Sequence, residues 1–192
     1  TNFTDAEGTS NSSYKIIARQ QGKEMPSMEI TPWNDIFYRM PVVRPEGGRT
    51  PDGKPYTYSP NDCSVGDVDG DGQYELILKW DPSNSHDNSH NGYTGDVIID
   101  CYKLTGQQLW RINLGRNIRA GAHYTQFLVY DFDGDGKAEM ICKTAPGSID
   151  GKGQYVTSSA TDVEIRTTDN DADYRTTDGR ILTGADLLTA IS

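Results

Sequence analysis

No run of eighteen apolar residues occurs in the 192-residue chain, and its lysines and arginines gather nowhere into a basic block. The first absence excludes an apolar helix long enough to cross a bilayer. The second, with a net charge of -10, removes the cations that phosphate binding needs, so neither nucleic acid nor a membrane is an expected partner. Cysteine is scarce. Cys63, Cys101 and Cys142 cannot all pair with one another, and each lies in an apolar run, so buried thiols behaving as small hydrophobes are expected. Histidine is scarcer in effect, with three residues that can be weighed singly. No signal peptide or other targeting segment is visible, which suggests a processed chain or a piece of a longer one. Aromatics are not lacking. Eleven Tyr, three Trp and four Phe can build a core and argue against a disordered polyelectrolyte.

The acidic excess has a location. Eight of the 28 carboxylates lie in two short clusters, and without them 20 acids face 18 bases. The clusters belong to an internal repeat. Residues 63–79 align with 127–143 at a constant offset of 64, each unit reading as a strand, an Asp/Gly loop and a second strand. In the first unit Tyr93–Leu104 alternates and is β-branched, as a third strand would be, Thr105-Gly106 signals a turn, and Gln108–Leu114 reads as a fourth strand. Four antiparallel strands followed by a restart is the pattern of a β-propeller blade.

The second unit is interrupted by an Asp/Gly/Ser/Thr-rich insert over 145–182, whose six aspartates could supply a further ion site. Residues 183–192 then match the third strand of the first unit. The expected architecture is therefore all-β: about one and a half blades over 61–192 (blade 1 about 61–115, an incomplete blade 2 about 119–192). Two N-terminal strands, Ser13–Arg19 and Met28–Trp33, read as the end of a small β-sandwich over 1–43. The Pro/Gly-rich residues between, 44–60, read as a linker. One and a half blades cannot close a ring, so a fragment or an assembly of chains is expected.

The strongest chemical signal is the pair of loops, Asp67-x-Asp69-x-Asp71-Gly-Gln73-x-Glu75 and Asp131-x-Asp133-x-Asp135-Gly-Lys137-x-Glu139. Carboxylates at every second position of a tight loop can turn inward around one ion. Gln73 and Lys137 can add a backbone carbonyl. Calcium takes six to eight hard oxygen ligands, and this supply suits it. The glutamates stand at position nine rather than twelve, so these are calcium loops between strands, not helix-loop-helix sensors. A structural role is expected for both ions, against the alternative of polar turns that bind none.

Ligands of a propeller sit at strand ends near the channel. The candidates there are Asn61, Asp62 and Asp81 in the first unit, and Arg119, His123, Tyr124 and Thr125 in the second. Asp81 is a functional carboxylate or a cap of the Asp81-Pro82 turn. His123 is a pocket residue or a satisfied structural histidine. His86 and His90 lie in a polar loop, either solvated or contacting a metal or glycan.

The runs Asn61–Gly72, Leu78–Ser85, Leu109–Gly115 and Arg119–Phe127 closely resemble the rhamnogalacturonan lyases of polysaccharide lyase family 11, from about Thr50 to Thr144 and more loosely beyond. The resemblance implies an eight-bladed, calcium-loaded propeller behind a small β-sandwich, secreted by pectin-degrading bacteria into the periplasm or the extracellular medium. It implies a carbon–oxygen lyase that cleaves the rhamnose-(α1→4)-galacturonate bond of rhamnogalacturonan I by β-elimination. A base takes the C5 proton, the enolate-like carboxylate is stabilised, and the rhamnosyl oxygen leaves C4. It also implies substrate contacts at Asn61 and Asp81, while His123 and Arg119 match the family run without an assigned step. The base and the enolate stabiliser are expected in later blades, so no catalytic residue is assigned in this chain. The alternative is a calcium-stabilised propeller module that binds pectic glycan without cleaving it.

Overall fold

The computed structural model of the chain describes residues 4–27, 29–30, 32, 35, 37–121 and 124–192. It divides into two units, Thr1–Met40 and Pro41–Ser192. No helix among the described residues is long and apolar enough to cross a membrane.

The first unit holds four two-residue strands, β1 (Tyr14–Lys15), β2 (Arg19–Gln20), β3 (Lys23–Glu24) and β4 (Glu29–Ile30). β1 pairs with β4 and β2 with β3, both antiparallel. The long strands read from 13–19 and 28–33 are thus reduced to short ladders. Ile16, Ile17 and Ile30 lie open to solvent, so alternation here has no buried face to pack and does not extend the pairing.

The second unit opens with a hairpin, β5 (Gly48–Arg49) with β6 (Pro55–Tyr56), inside the stretch expected as a linker. A four-stranded antiparallel sheet follows in the order β10-β9-β8-β7. Its strands are β7 (Tyr58–Gly66), β8 (Glu75–Pro82), β9 (Ile98–Tyr102) and β10 (Gln108–Asn113). A three-stranded sheet is built from β11 (Phe127–Tyr130), β12 (Glu139–Thr144) and β13 (Leu187–Ile191), in the order β11-β12-β13. The repeat thus becomes two meanders of the same sense, and the last strand falls within the segment expected for it.

Sequential hairpins put neighbouring strands side by side, and the apolar residues of one face meet those of the other sheet. Ile77, Ile99, Cys101 and Ile112 from the first sheet join Met140 and Cys142 of the second in one core, closed by Val97, Leu114, Ile118 and Ala120. The two first strands approach closely at Gly66, where an added Cβ would come within 2.7 Å of Val129 Cγ1 and of Ala138 Cβ. Any side chain there would force the sheets apart.

Two expectations are corrected. β9 is confined to Ile98–Tyr102 and is buried on both faces rather than alternating, because the segment around Val43 covers its outer side. The Val43 amide donates to the Tyr102 hydroxyl (3.2 Å), and its carbonyl accepts from Arg111 Nη2 (2.6 Å). Cys101 and Cys142 are buried, and burial pushes both thiols up to about 12. Cys63 is exposed instead. It lies on β7, an edge strand paired only with β8.

The insert is not a bare loop. It carries a 3-10 turn at Val156–Ser159 and one turn of helix, α1 (Val163–Arg166), capped by the Asp162 carboxylate on the Glu164 amide (2.8 Å). Asn117 locks it to the sheet by donating to the Pro146 and Ala172 carbonyls and accepting from the Tyr174 amide. Its aspartates serve local turns and pairs, as Asp150 does with the Lys152 and Gln154 amides and Asp173 with Arg175. Among the described residues, they do not converge as a third group of three metal-ligating side chains.

Candidate functional site

The aspartate loops join the first two strands of each sheet and are built alike. In the first, the Asp67 carboxylate accepts from the Gly70 (2.8 Å) and Gly72 (2.9 Å) amides, Asp69 from Asp71, and Asp71 from Gln73. In the second, Asp131 accepts from Gly134 (2.7 Å) and Gly136 (3.0 Å), Asp133 from Asp135, and Asp135 from Lys137. The four glycines take φ between +79° and +93°, which a side chain would strain. Glu75 and Glu139 reach back to the Val68 and Phe132 amides, each at 2.9 Å. Burial raises the Glu75 carboxyl above its ordinary range, opposed by the Val68 hydrogen bond.

Ligand oxygens of Asp67, Asp69 and Asp71 lie within 4.8 Å of one another, as do those of Asp131, Asp133 and Glu139. These hard carboxylate oxygens, turned inward by backbone bonds, fit a calcium ion. Gln73 and Lys137 stand at position seven with their amides bound to the preceding aspartate. The loops differ in one respect. Lys103 Nζ bridges Asp69 Oδ2 (2.5 Å) and Asp71 Oδ2 (2.7 Å) of the first loop. Its hydrogen bond holds the Asp71 carboxyl below the usual carboxylate range, and the two aspartates raise the lysine in turn. Among the described residues, no lysine or arginine bridges the second loop in this way. The loops touch: the Ala138 amide donates to the Asp67 carbonyl at 2.7 Å.

The opposite end of the first sheet has a different chemistry. β7 pairs Pro60 with Trp80 and Cys63 with Leu78, so Asn61 and Asp62 together face Lys79 across a bulge. Bulges re-aim side chains and recur beside active sites. Lys79 is fully buried and contacts the half-open Asp62 carboxylate at 2.6 Å, with the Thr125 carbonyl at 3.5 Å. Asp81 lies two residues further along β8, paired with Ser59. Burial raises its carboxyl above the ordinary range; the Lys79 charge opposes this and the Asp62 charge adds to it.

Five buried side-chain atoms among the described residues have no hydrogen-bond partner: Asp81 Oδ1, Asn84 Nδ2, His86 Nε2, Arg119 Nε and Thr125 Oγ1. All five belong to β8's end and to the 83–95 and 115–126 loops. None belongs to the aspartate loops. Buried polar groups are ordinarily satisfied, so donors and acceptors left over at one end of a sheet mark where a polar ligand can bind. His86 is not simply solvated. Its Nδ1 lies 2.7 Å from the Asn84 carbonyl, which can only accept, so Nδ1 donates there and Nε2 is left without a partner. His90 stays exposed, its ring edge-on to His86 at 6.4 Å.

Of the three expected substrate contacts, Asn61 is exposed in the bulge and Asp81 is half-buried beside it, while His123 lies outside the described residues. Lys79 was missed. The available signal was a lone charge inside the apolar run Leu76-Ile77-Leu78-Lys79-Trp80. Also missed was Asp100, fully buried, which accepts from Trp80 Nε1 (2.8 Å), the Tyr102 hydroxyl (2.7 Å), Gln108 and Arg111.

Residues 37–192 match the description "Rhamnogalacturonan lyase family 11, C-terminal domain". The chain is 58% identical over 190 residues to the rhamnogalacturonan exolyase YesX of Bacillus subtilis (strain 168), and 56% identical over 190 residues to its endolyase YesW. Each alignment covers 98% of this chain and 29% of the relative. The crystal structure of exotype YesX superposes with a TM-score of 0.82 at 57% identity, over 99% of this chain and 30% of that one. A Bacillus licheniformis rhamnogalacturonan lyase gives 0.82 and 57%, over 99% and 31%. The chain therefore spans about a third of the length of the relatives it matches. With the match running through both aspartate loops and the Asn61–Asp81 end, the chain belongs to rhamnogalacturonan lyase family 11.

Proposed function

We propose that the protein carrying this chain is a secreted bacterial lyase that cleaves the rhamnose-(α1→4)-galacturonate bond of rhamnogalacturonan I by β-elimination. Removal of the C5 proton of galacturonate and departure of the rhamnosyl oxygen from C4 leave a C4=C5 double bond conjugated to the carboxylate. The observation that carries this reading is the coincidence of family membership with the unpartnered polar atoms at the Asn61–Asp81 end. Asn61 and Asp81 contact the sugar there, with His123 as the third substrate contact, and Asp62 and Lys79 hold the bulge that presents Asn61. None of these 192 residues is assigned as the proton-abstracting base.

The two meanders are consecutive blades of a propeller, and residues 1–43 belong to a small β-sandwich. Each aspartate loop holds one calcium ion, Asp67, Asp69, Asp71, Gln73 and Glu75 serving the first, and Asp131, Asp133, Asp135, Lys137 and Glu139 the second. The ion neutralises carboxylates that would otherwise repel one another. Support comes from the converging oxygens and from the match between the loops.

The test is a near-ultraviolet assay of the unsaturated product. The full-length protein and its Asp81→Ala variant are incubated with rhamnogalacturonan I and calcium. Absorbance should rise with the parent and fall at least tenfold in rate with the variant, at an unchanged melting temperature. Polymer binding without any unsaturated product would instead make the protein a glycan-binding module.

A further inference from the structure

A second polar cavity, of about 220 Å³, opens between the loop after β10 and the segment leading into β13. Its size, below the roughly 300–1,000 Å³ of drug-sized sites, suits one sugar ring. Among the described residues its wall carries Asn88, Arg119, Tyr124, Lys143, Asp186 and residues 181–184.

Arg119 is only 7% exposed. Its Nη1 meets Asn88 Oδ1 at 3.3 Å, and its Nη2 meets the His90 and Gly92 carbonyls at 2.6 and 3.4 Å. Its Nε is buried with no partner. Its hydrogen bonds go to neutral oxygens, while the charge of Asp87 and the nearby Tyr124 favour its cation. A buried guanidinium held only by neutral oxygens keeps its full charge and one unused donor, and buried charges are ordinarily paired. Burial, with Arg180 nearby, lowers it below the usual arginine value.

Lys143 is the second cation on the wall and the repeat counterpart of Lys79. In the first sheet the lysine is buried and committed to Asp62. In the second, Gln126 stands where Asp62 would, so that internal counter-charge is gone. Lys143 instead touches Asp186 at 2.9 Å, with both side chains about half exposed or more. Such an exposed pair contributes little and exchanges readily. The cavity thus offers two cations against one loosely held carboxylate, on a protein of net charge -10.

We propose that this cavity is a carboxylate subsite that takes the galacturonate of the polymer, bound by Arg119 and Lys143. It rests on the reading of the protein as one acting on a rhamnose–galacturonate polymer. The loop over residues 83–95 links it to the first site: it carries Asn84 and His86 at the Asp81 end, and Asn88, His90 and Gly92 against Arg119. The carboxylate satisfies Arg119 Nε, displaces Asp186 from Lys143, and fixes which sugars of an alternating chain face which site. An acidic polymer approaching an acidic protein needs such a local cation site to hold register.

The test is a titration of the isotope-labelled chain, read by amide NMR shifts, with sodium D-galacturonate, D-galactose and L-rhamnose. Galacturonate should shift Ile118, Arg119 and residues 182–184, and galactose, the same ring without the carboxylate, should not. Lys143→Gln, at an exposed and foldable position, should weaken galacturonate binding about tenfold, as losing a charge-assisted hydrogen bond does, and Lys143→Arg should restore it. Equal response to galactose, or no change with Lys143→Gln, overturns the subsite. Titration with a rhamnogalacturonan oligosaccharide separates the two readings. Binding that needs Asp81 but tolerates Lys143→Gln overturns the subsite and leaves the lyase reading standing. Galacturonate binding at the cavity without oligosaccharide binding supports the subsite while the lyase reading falls.

Discussion

The first and second repeats match bond for bond around their aspartate loops, from the amides on Asp67 and Asp131 to the glutamates on Val68 and Phe132. Away from the loops the match is lost. Asp81 of the first repeat aligns with Ala145 of the second, Asn61 with Thr125, and Trp80 with Thr144. The strand pairing is nevertheless conserved in register, Leu78 with Asp100 and Cys142 with Thr189. Where the first sheet bonds Trp80 to a buried Asp100 at 2.8 Å, the second bonds the Thr144 hydroxyl to that of Thr189 at 2.7 Å. Duplication kept the loop that each sheet needs to close its first hairpin. It released the far end, where the repeats could diverge into a polar rim and a cationic cavity.

The largest expected effect comes from the diverged pair. Asp100→Asn leaves the Arg111 charge uncompensated beside Trp80 and Tyr102. It should cost about 3 kcal/mol, lowering the melting temperature by roughly 6–12 °C in a chain of this size. Thr189→Val, at the matching place, should cost about 1 kcal/mol. Equal losses in a thermal melt would show that the two positions bear the same load.

Chelation comes next. With calcium at about three times its dissociation constant, each occupied loop adds about 0.8 kcal/mol, so EGTA should lower the melt by several degrees. Asp131→Asn should remove more of that shift than Asp67→Asn, because Lys103 already neutralises Asp69 and Asp71. A melt indifferent to EGTA would reduce both loops to polar turns.

The smallest effect on stability is at Asp81. Its raised carboxyl means that the folded state holds the proton more tightly than the unfolded chain. Stability therefore falls as pH rises from the ordinary carboxylate value to the raised one. Asp81→Asn should leave the melt unchanged at acid pH and raise it slightly at neutral pH, while weakening sugar binding tenfold or more. A variant that lost stability at neutral pH would mark Asp81 as a scaffold residue.

Much of this was legible because the information was local. The aspartate spacing, the glycines between and the offset of 64 named the loops and the two meanders. The Asn61–Asp81 pair was legible only through its surrounding run, since a lone Asp before Pro reads equally as a turn. Lys79 and Asp100 were hidden because each needs a partner on another strand. The shortening of β9 was hidden for the same reason: residues around Val43, more than fifty positions away in the chain, cover its face.

The sequence by itself determined the family, the all-β character and the placement of the two aspartate loops between strands, because these follow from contiguous residues and from alternation along single strands. Only the tertiary structure decided which end of the sheet is polar and unsatisfied, that a bulge sets Asn61 opposite a buried lysine, and that Lys143 is released where Lys79 is held. Those outcomes depend on cross-strand register and on which carboxylate lies within reach of which cation, and neither quantity is written in neighbouring residues.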